Sequence, residues 1–124
     1  TQGLLSGNFR ESGQMKLRHC GIDLAPFRVD AFGCDCDWDA PDRRQLPPIA
    51  VERLRLETGR AVEGTDVIVV GDTPNDGDCA RHHGYRALAV ATGWCDTTEL
   101  AATGAEIVVE DLADTAAILD AILG

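Results

Sequence analysis

The 124-residue chain is the size of one small domain, and at 44% hydrophobic content it has enough apolar material for a real core. A formal net charge of -10 argues against nucleic acid and against anionic membrane surfaces as partners, since both attract basic proteins. No apolar run approaches the roughly 20 residues needed to cross a bilayer, and blocks such as Val67–Val70 are strand-sized.

In chain order, Leu4–Leu5 reads as a strand that ends in the turn Ser6-Gly7-Asn8. A helix is predicted over residues 10–20, with Met15, Leu17 and Cys20 available for its buried face. Phe27–Phe32 reads as a short strand, followed by a polar, Asp-rich loop from Gly33 to Gln45 that carries Trp38 and Pro41. Pro47 and Pro48 suit the first turn of a helix that runs to about Thr58, where Gly59 stops it. Asp66–Val70 is an unalternated apolar, β-branched run, the pattern of a strand buried on both faces. Gly71-Asp72-Thr73-Pro74 closes it, and Pro74 opens a helix to about His83, ended by Gly84. Ala87–Ala91 is the next strand, ending at Thr92-Gly93. Asp96 or Thr97 caps a helix through Ala102, and Ile107–Val109 is a last short strand. An amphipathic closing helix spans Leu112 to Leu123, with Leu112, Ala116, Leu119 and Leu123 on one face.

Strands alternating with helices predict an α/β fold: a Rossmann-like three-layer sandwich around a mostly parallel sheet, expected as a single domain over residues 1–124. Function in such folds sits at the C-terminal ends of the strands. Four such ends are predicted to converge on one sheet edge: Ser6-Gly7-Asn8, the Asp-rich loop after Phe32, Gly71-Asp72, and Thr92-Gly93.

The segment Val67-Ile68-Val69-Val70-Gly71-Asp72-Thr73-Pro74-Asn75-Asp76 carries the strongest chemical signal. A strand delivers Asp72 to its tip, Gly71 permits a sharp turn, and Asp76 returns close to Asp72. Two carboxylates so placed suit a hard, oxygen-seeking cation such as Mg²⁺, with Co²⁺ or Mn²⁺ as other divalent choices. The plainer reading is an Asp-rich turn in which Asn75 and Asp76 cap the following helix.

A hydrophobic strand followed by Gly-Asp-x-x-x-Asp resembles the fourth motif of the haloacid dehalogenase (HAD) superfamily of hydrolases, and the similarity is nearest to its phosphoglycolate-phosphatase-like branch. Leu4-Leu5-Ser6-Gly7-Asn8 resembles the second motif, whose hydroxyl hydrogen-bonds the transferring phosphoryl group. Asp42-Arg43 ahead of Leu46-Pro47-Pro48-Ile49-Ala50 stands where the third motif supplies a stabilising cation. Ala87–Gly93 matches the next core strand.

The resemblance implies Mg²⁺-dependent hydrolysis of a phosphate monoester, with a small phosphorylated or other anionic substrate. Asp72 binds the metal directly, and Asp76 directly or through water. Ser6 and the Gly7 amide hold a phosphate oxygen, with Asn8 positioning substrate or turning the loop. Arg43 neutralises developing charge, with Arg44 and Lys16 as alternatives. The family's first motif, an Asp-x-Asp whose first carboxylate attacks phosphorus, is expected before Leu4 and is not found there, so the core is expected to lack its N-terminal strand. A start at Thr1 instead of Met, shortly before the apolar pair Leu4–Leu5, is what a processed or partial chain would show.

Asp35-Cys36-Asp37-Trp38-Asp39 imitates the missing motif, but reads chiefly as a solvated acidic loop. Cys34, Cys36 and neighbouring carboxylates are an alternative site for a softer ion such as Zn²⁺. Five cysteines without framework spacing suit reduced thiols and a cytoplasmic location.

A missing central strand leaves unpaired strand edges. Either the strands ending at Ser6 and Asp72 close on one another, or a second copy fills the gap in a homo-oligomer. Beside the phosphatase reading stand a non-catalytic metal- or phosphate-binding remnant and a repurposed hydrolase whose metal activates water.

Overall fold

A computed structural model describes all 124 residues. The chain divides into two compact units, Thr1–Val62 and Glu63–Gly124, and every strand pairing in both is parallel.

In the first unit, strand β1 (Gln2–Ser6) pairs with β2 (Phe27–Phe32), bringing Ser6 opposite Phe32. Helix α1 (Arg10–His19) connects them, and α2 (Leu46–Thr58) packs on both strands. Pro in its first turn costs α2 nothing, because that turn's N–H groups have no partner inside the helix. It ends at Gly59, whose φ of 68° is left-handed backbone that a side chain would strain. Ala31, Cys36, Leu46 and Ala50 form the core, with Leu5, Val29 and Ile49 against it. The Cys36 thiol donates to the Asp42 carbonyl at 3.4 Å, and burial pushes its pKa up.

The second unit is a three-stranded sheet in the order β3-β4-β5, formed by Ile68–Gly71, Arg86–Val90 and Ile107–Val109. Helices α3 (Pro74–His82) and α4 (Thr97–Ala101) connect the strands, and α5 (Thr115–Leu123) closes the chain. Central β4 is the buried strand, with Ala87, Leu88, Ala89 and Val90 all inside. Asp96 caps α4 by accepting from Glu99 N at 2.8 Å, and Asp114 caps α5 by accepting from Ala117 N at 3.0 Å.

Four expectations are corrected. Met15 is 65% exposed and Cys20 is exposed, so α1 turns Gly13 inward instead. β3 is not covered on both faces: it is an edge strand of its sheet, and Val70 is 45% exposed while Val69 is buried. Leu112, Leu119 and Leu123 of the last segment are exposed; Ile118, Ala121 and Ile122 are the more covered positions. The C-terminal end of α5 is tied down by Arg86, which donates to the Ile122 and Ala121 carbonyls at 3.0 and 3.3 Å and pairs with Glu106. Finally, β1 and β3 lie in different sheets, so they do not pair with one another.

Candidate functional site

Each unit presents one part of the predicted chemistry at the C-terminal end of its strands. In the first unit, β1 delivers Ser6 and the chain turns through Gly7 and Asn8. Ser6 Oγ accepts from the Asn8 backbone N at 3.2 Å and from Asn8 Nδ2 at 3.1 Å. Asn8 Oδ1 in turn accepts from Lys16 Nζ, on α1, at 2.9 Å. The end of β2 is stitched to this turn, Gly33 N donating to the Asn8 carbonyl at 2.8 Å. Gly33 lies so close to the Gly7 carbonyl that a Cβ there would overlap it. Arg43 reaches the same turn: its Cδ and Nε lie 3.9 Å from where a Gly7 Cβ would stand. Ser6, Gly7, Asn8, Lys16 and Arg43 are thus brought together. Arg44, by contrast, is held through its backbone N, which donates to Asp42 Oδ1 at 2.8 Å. Small groups with N–H and O–H donors beside a guanidinium can hold an anion.

In the acidic loop, the first carboxylate is engaged within the fold. Asp35 is gripped by Arg53 through two hydrogen bonds, at 2.8 and 3.0 Å, and by Arg10 at 2.9 Å. It also accepts from Phe32 N at 2.8 Å. The Arg53 hydrogen bonds, the Phe32 N–H and the two guanidinium charges hold its pKa well below the usual carboxylate range, against the opposing effect of burial. The same arginines reach Asp30, Arg53 donating to its carbonyl at 2.7 Å and Arg10 to its carboxylate. Asp37 accepts from Asp39 N at 3.0 Å, and its own N donates to Gln45 Oε1 at 2.6 Å. The chain assembles no group of three or more His, Cys, Asp or Glu side chains able to hold a metal, which removes the Cys34–Cys36 site for a softer ion.

In the second unit, β3 carries Asp72 to its tip, where the carboxylate is exposed. Asp76 sits in the first turn of α3, its Oδ2 accepting from Thr73 N at 3.0 Å and Thr73 Oγ1 at 2.8 Å. The capping role foreseen for Asp76 is therefore real. Two glycines make room for these carboxylates. A Cβ on Gly71 would collide with the Asp76 carboxyl, and one on Gly93, after β4, would stand 2.6 Å from Asp72 Oδ2. The strand ends of β3 and β4 thus meet at Asp72, as expected for parallel neighbours. Mg²⁺ typically uses one or two carboxylates and fills its octahedron with water or substrate oxygens. Two hard oxygen ligands, one exposed and cradled by glycine, fit that ion.

The family model for HAD-hydrolase-like proteins matches residues 44–115, more than half of the chain. The chain belongs to this HAD-hydrolase-like family. Its fold agrees: a hydrolase from Pseudomonas syringae superposes with a TM-score of 0.72 at 22% identity, over 94% of this chain and 52% of that one. A protein from Thermotoga maritima described as a beta-phosphoglucomutase gives 0.74 at 21% identity, over 98% and 53%. A haloacid dehalogenase-like family hydrolase from Streptococcus pneumoniae gives 0.66 at 18%, over 94% and 52%. The HAD-hydrolase-like chain thus spans about half the length of the structures it matches. No curated protein gives a significant match. No helix is long and apolar enough to cross a membrane.

Sequence reasoning placed Gly93 at a strand end but missed its close approach to Asp72, the close approach at Gly33 and the Asp35 grip. The glycines gave no signal, because a close approach is visible only once strand neighbours are known. The grip had one: a lone Asp-rich loop in a chain whose helices offer Arg10 and Arg53.

Proposed function

We propose that this chain supplies the phosphate-binding and metal-binding parts of a Mg²⁺-dependent phosphomonoester hydrolase acting on a small phosphorylated substrate. The observation that carries the reading is the Ser6-Gly7-Asn8 turn with Arg43 alongside it at the end of β1. Ser6 Oγ–H and the Gly7 amide donate to a phosphate oxygen, and the Arg43 guanidinium offsets charge that builds on the phosphoryl group. Asp72 is a direct ligand of Mg²⁺, and Asp76 holds it directly or through water. The metal supplies charge neutralisation and orientation of the phosphoryl oxygens.

An aspartyl-phosphate route also needs an in-line carboxylate. Asp35 is disqualified by its two arginines, so the attacking carboxylate is a different residue. The same fact favours a second reading for these residues taken alone: a phosphate- and metal-binding domain over residues 1–124 that acts by binding and by forming homo-oligomers.

Hydrolysis of p-nitrophenyl phosphate by the purified chain with and without Mg²⁺ separates the two. Metal-dependent turnover that disappears in both Asp72→Ala and Ser6→Ala supports the hydrolase, and turnover persisting in Asp72→Ala refutes the metal assignment. A folded chain that binds phosphate and Mg²⁺ without turnover supports the binding reading.

A further inference from the structure

The side chain of Lys16 stands at the head of a hydrogen-bond chain, Lys16 Nζ to Asn8 Oδ1 at 2.9 Å, then Asn8 Nδ2 to Ser6 Oγ at 3.1 Å. An ammonium can only donate, so it fixes the Asn8 amide with its oxygen toward Lys16 and its NH₂ toward Ser6. A serine hydroxyl has two acceptor lone pairs and one proton. Both acceptor positions of Ser6 are filled, by Asn8 N and Asn8 Nδ2. Ser6 donates to no other group of the protein. Its proton is therefore the one part of the hydroxyl left to interact with a ligand, and a ligand met only by a donor must bring an acceptor.

We infer that Lys16 is a positioning residue: through Asn8 it commits Ser6 to donating its proton to an anionic oxygen. Without Lys16, the Asn8 amide is free to turn over. Its oxygen would then accept the Ser6 proton, and the hydroxyl would be lost to the ligand. The charge of Lys16 is secondary to its direction, because the relay passes through a neutral amide. The inference rests on the phosphate-binding reading of the Ser6 turn and adds to it the residue that orients the donor.

The test is a double-mutant cycle read by NMR titration of the full chain with inorganic phosphate in the presence of Mg²⁺, following the Ser6 and Gly7 backbone amides. Phosphate binding by the wild type, weakened about tenfold in Ser6→Ala, is the loss expected for one hydrogen bond to a charged group. Absence of any wild-type response would overturn the phosphate reading itself. Given binding, Lys16→Met should weaken it severalfold, and Lys16→Arg, which still donates to Asn8, should restore it. Lys16→Met should add nothing further in an Asn8→Ala background, whereas a purely Coulombic lysine would cost the same in both. Losses that simply add would overturn the relay while leaving the phosphate reading intact. A phosphate-free readout guards against folding effects: the Asn8 side-chain NH₂ signals should move in Lys16→Met and stay in place in Lys16→Arg. Signals unmoved in both variants would also sink the relay.

Discussion

Asp35 and Asp72 each follow a parallel strand by a few residues, one in each unit, yet the chain treats them in opposite ways. Asp35 is mostly covered and meets two guanidinium groups and a backbone N–H. Asp72 is exposed, and what faces it is a glycine. A carboxylate whose lone pairs are all engaged holds the fold and has nothing to offer a ligand. A carboxylate that the backbone steps back from keeps its oxygens available. Proximity of an acidic residue to a strand end is thus a weak guide to function, and the neighbours' donors decide.

The largest expected effect breaks the first half of this contrast. Asp35→Asn leaves Arg10 and Arg53 with the Asp30 carboxylate as their one remaining shared counter-charge. It should cost roughly 2–3 kcal/mol in urea unfolding, below the value for a fully buried pair because both arginines are partly solvated. The pH dependence follows from the sign of the shift. The folded-state pKa of Asp35 is depressed, so its stabilisation is fully present above the ordinary carboxylate range and fades as pH falls below it. Wild-type stability should therefore decline below about pH 4, more steeply than that of Asp35→Asn. Equal slopes would mean that Asp35 is not the titrating group.

Next in size is Gly71→Ala. Asp76 is tied to Thr73 by two hydrogen bonds and cannot swing aside from the new methyl group, so a loss of about 1–2 kcal/mol is expected. Thermal unfolding measures it. Gly93→Ala should be milder, below about 1 kcal/mol, because the exposed Asp72 carboxylate can rotate away. That same rotation should weaken Mg²⁺ binding, read from Mn²⁺ line broadening at the end of β3. Smallest of all, Asp72→Asn should change stability by less than about 0.5 kcal/mol while removing the metal response. A stability loss matching that of Asp35→Asn would erase the distinction between the two aspartates.

The elements were largely legible in the sequence. Phe27–Phe32 and the Pro47-to-Gly59 helix stand where read, because β-branched and aromatic runs, proline in a first turn and a stopping glycine act locally. Ser6, Asp72 and Asp76 stand at the strand ends and helix start where they were read, for the same reason. Local periodicity failed where a distant partner chooses the face. On α5, Arg86 grips the C-terminal carbonyls from 35 and 36 residues away. Asp35 was read as solvated because Arg10 and Arg53 lie 25 and 18 residues from it. The β3 run looked doubly buried because composition cannot tell a central strand from an edge one.

The cysteines carry a consequence for experiment. Cys36 is buried in the first unit and Cys79 in the second, while Cys20 is exposed and Cys34 and Cys95 are partly so. A shielded thiol reacts with an alkylating reagent only when its surroundings open. Once the accessible thiols are blocked, the labelling rate of Cys36 clocks the opening of the Thr1–Val62 unit and that of Cys79 the opening of Glu63–Gly124. Matching rates would mean that the two halves melt as one cooperative body. Divergent rates would give each half its own lifetime in the folded state, measured in a single tube by mass spectrometry.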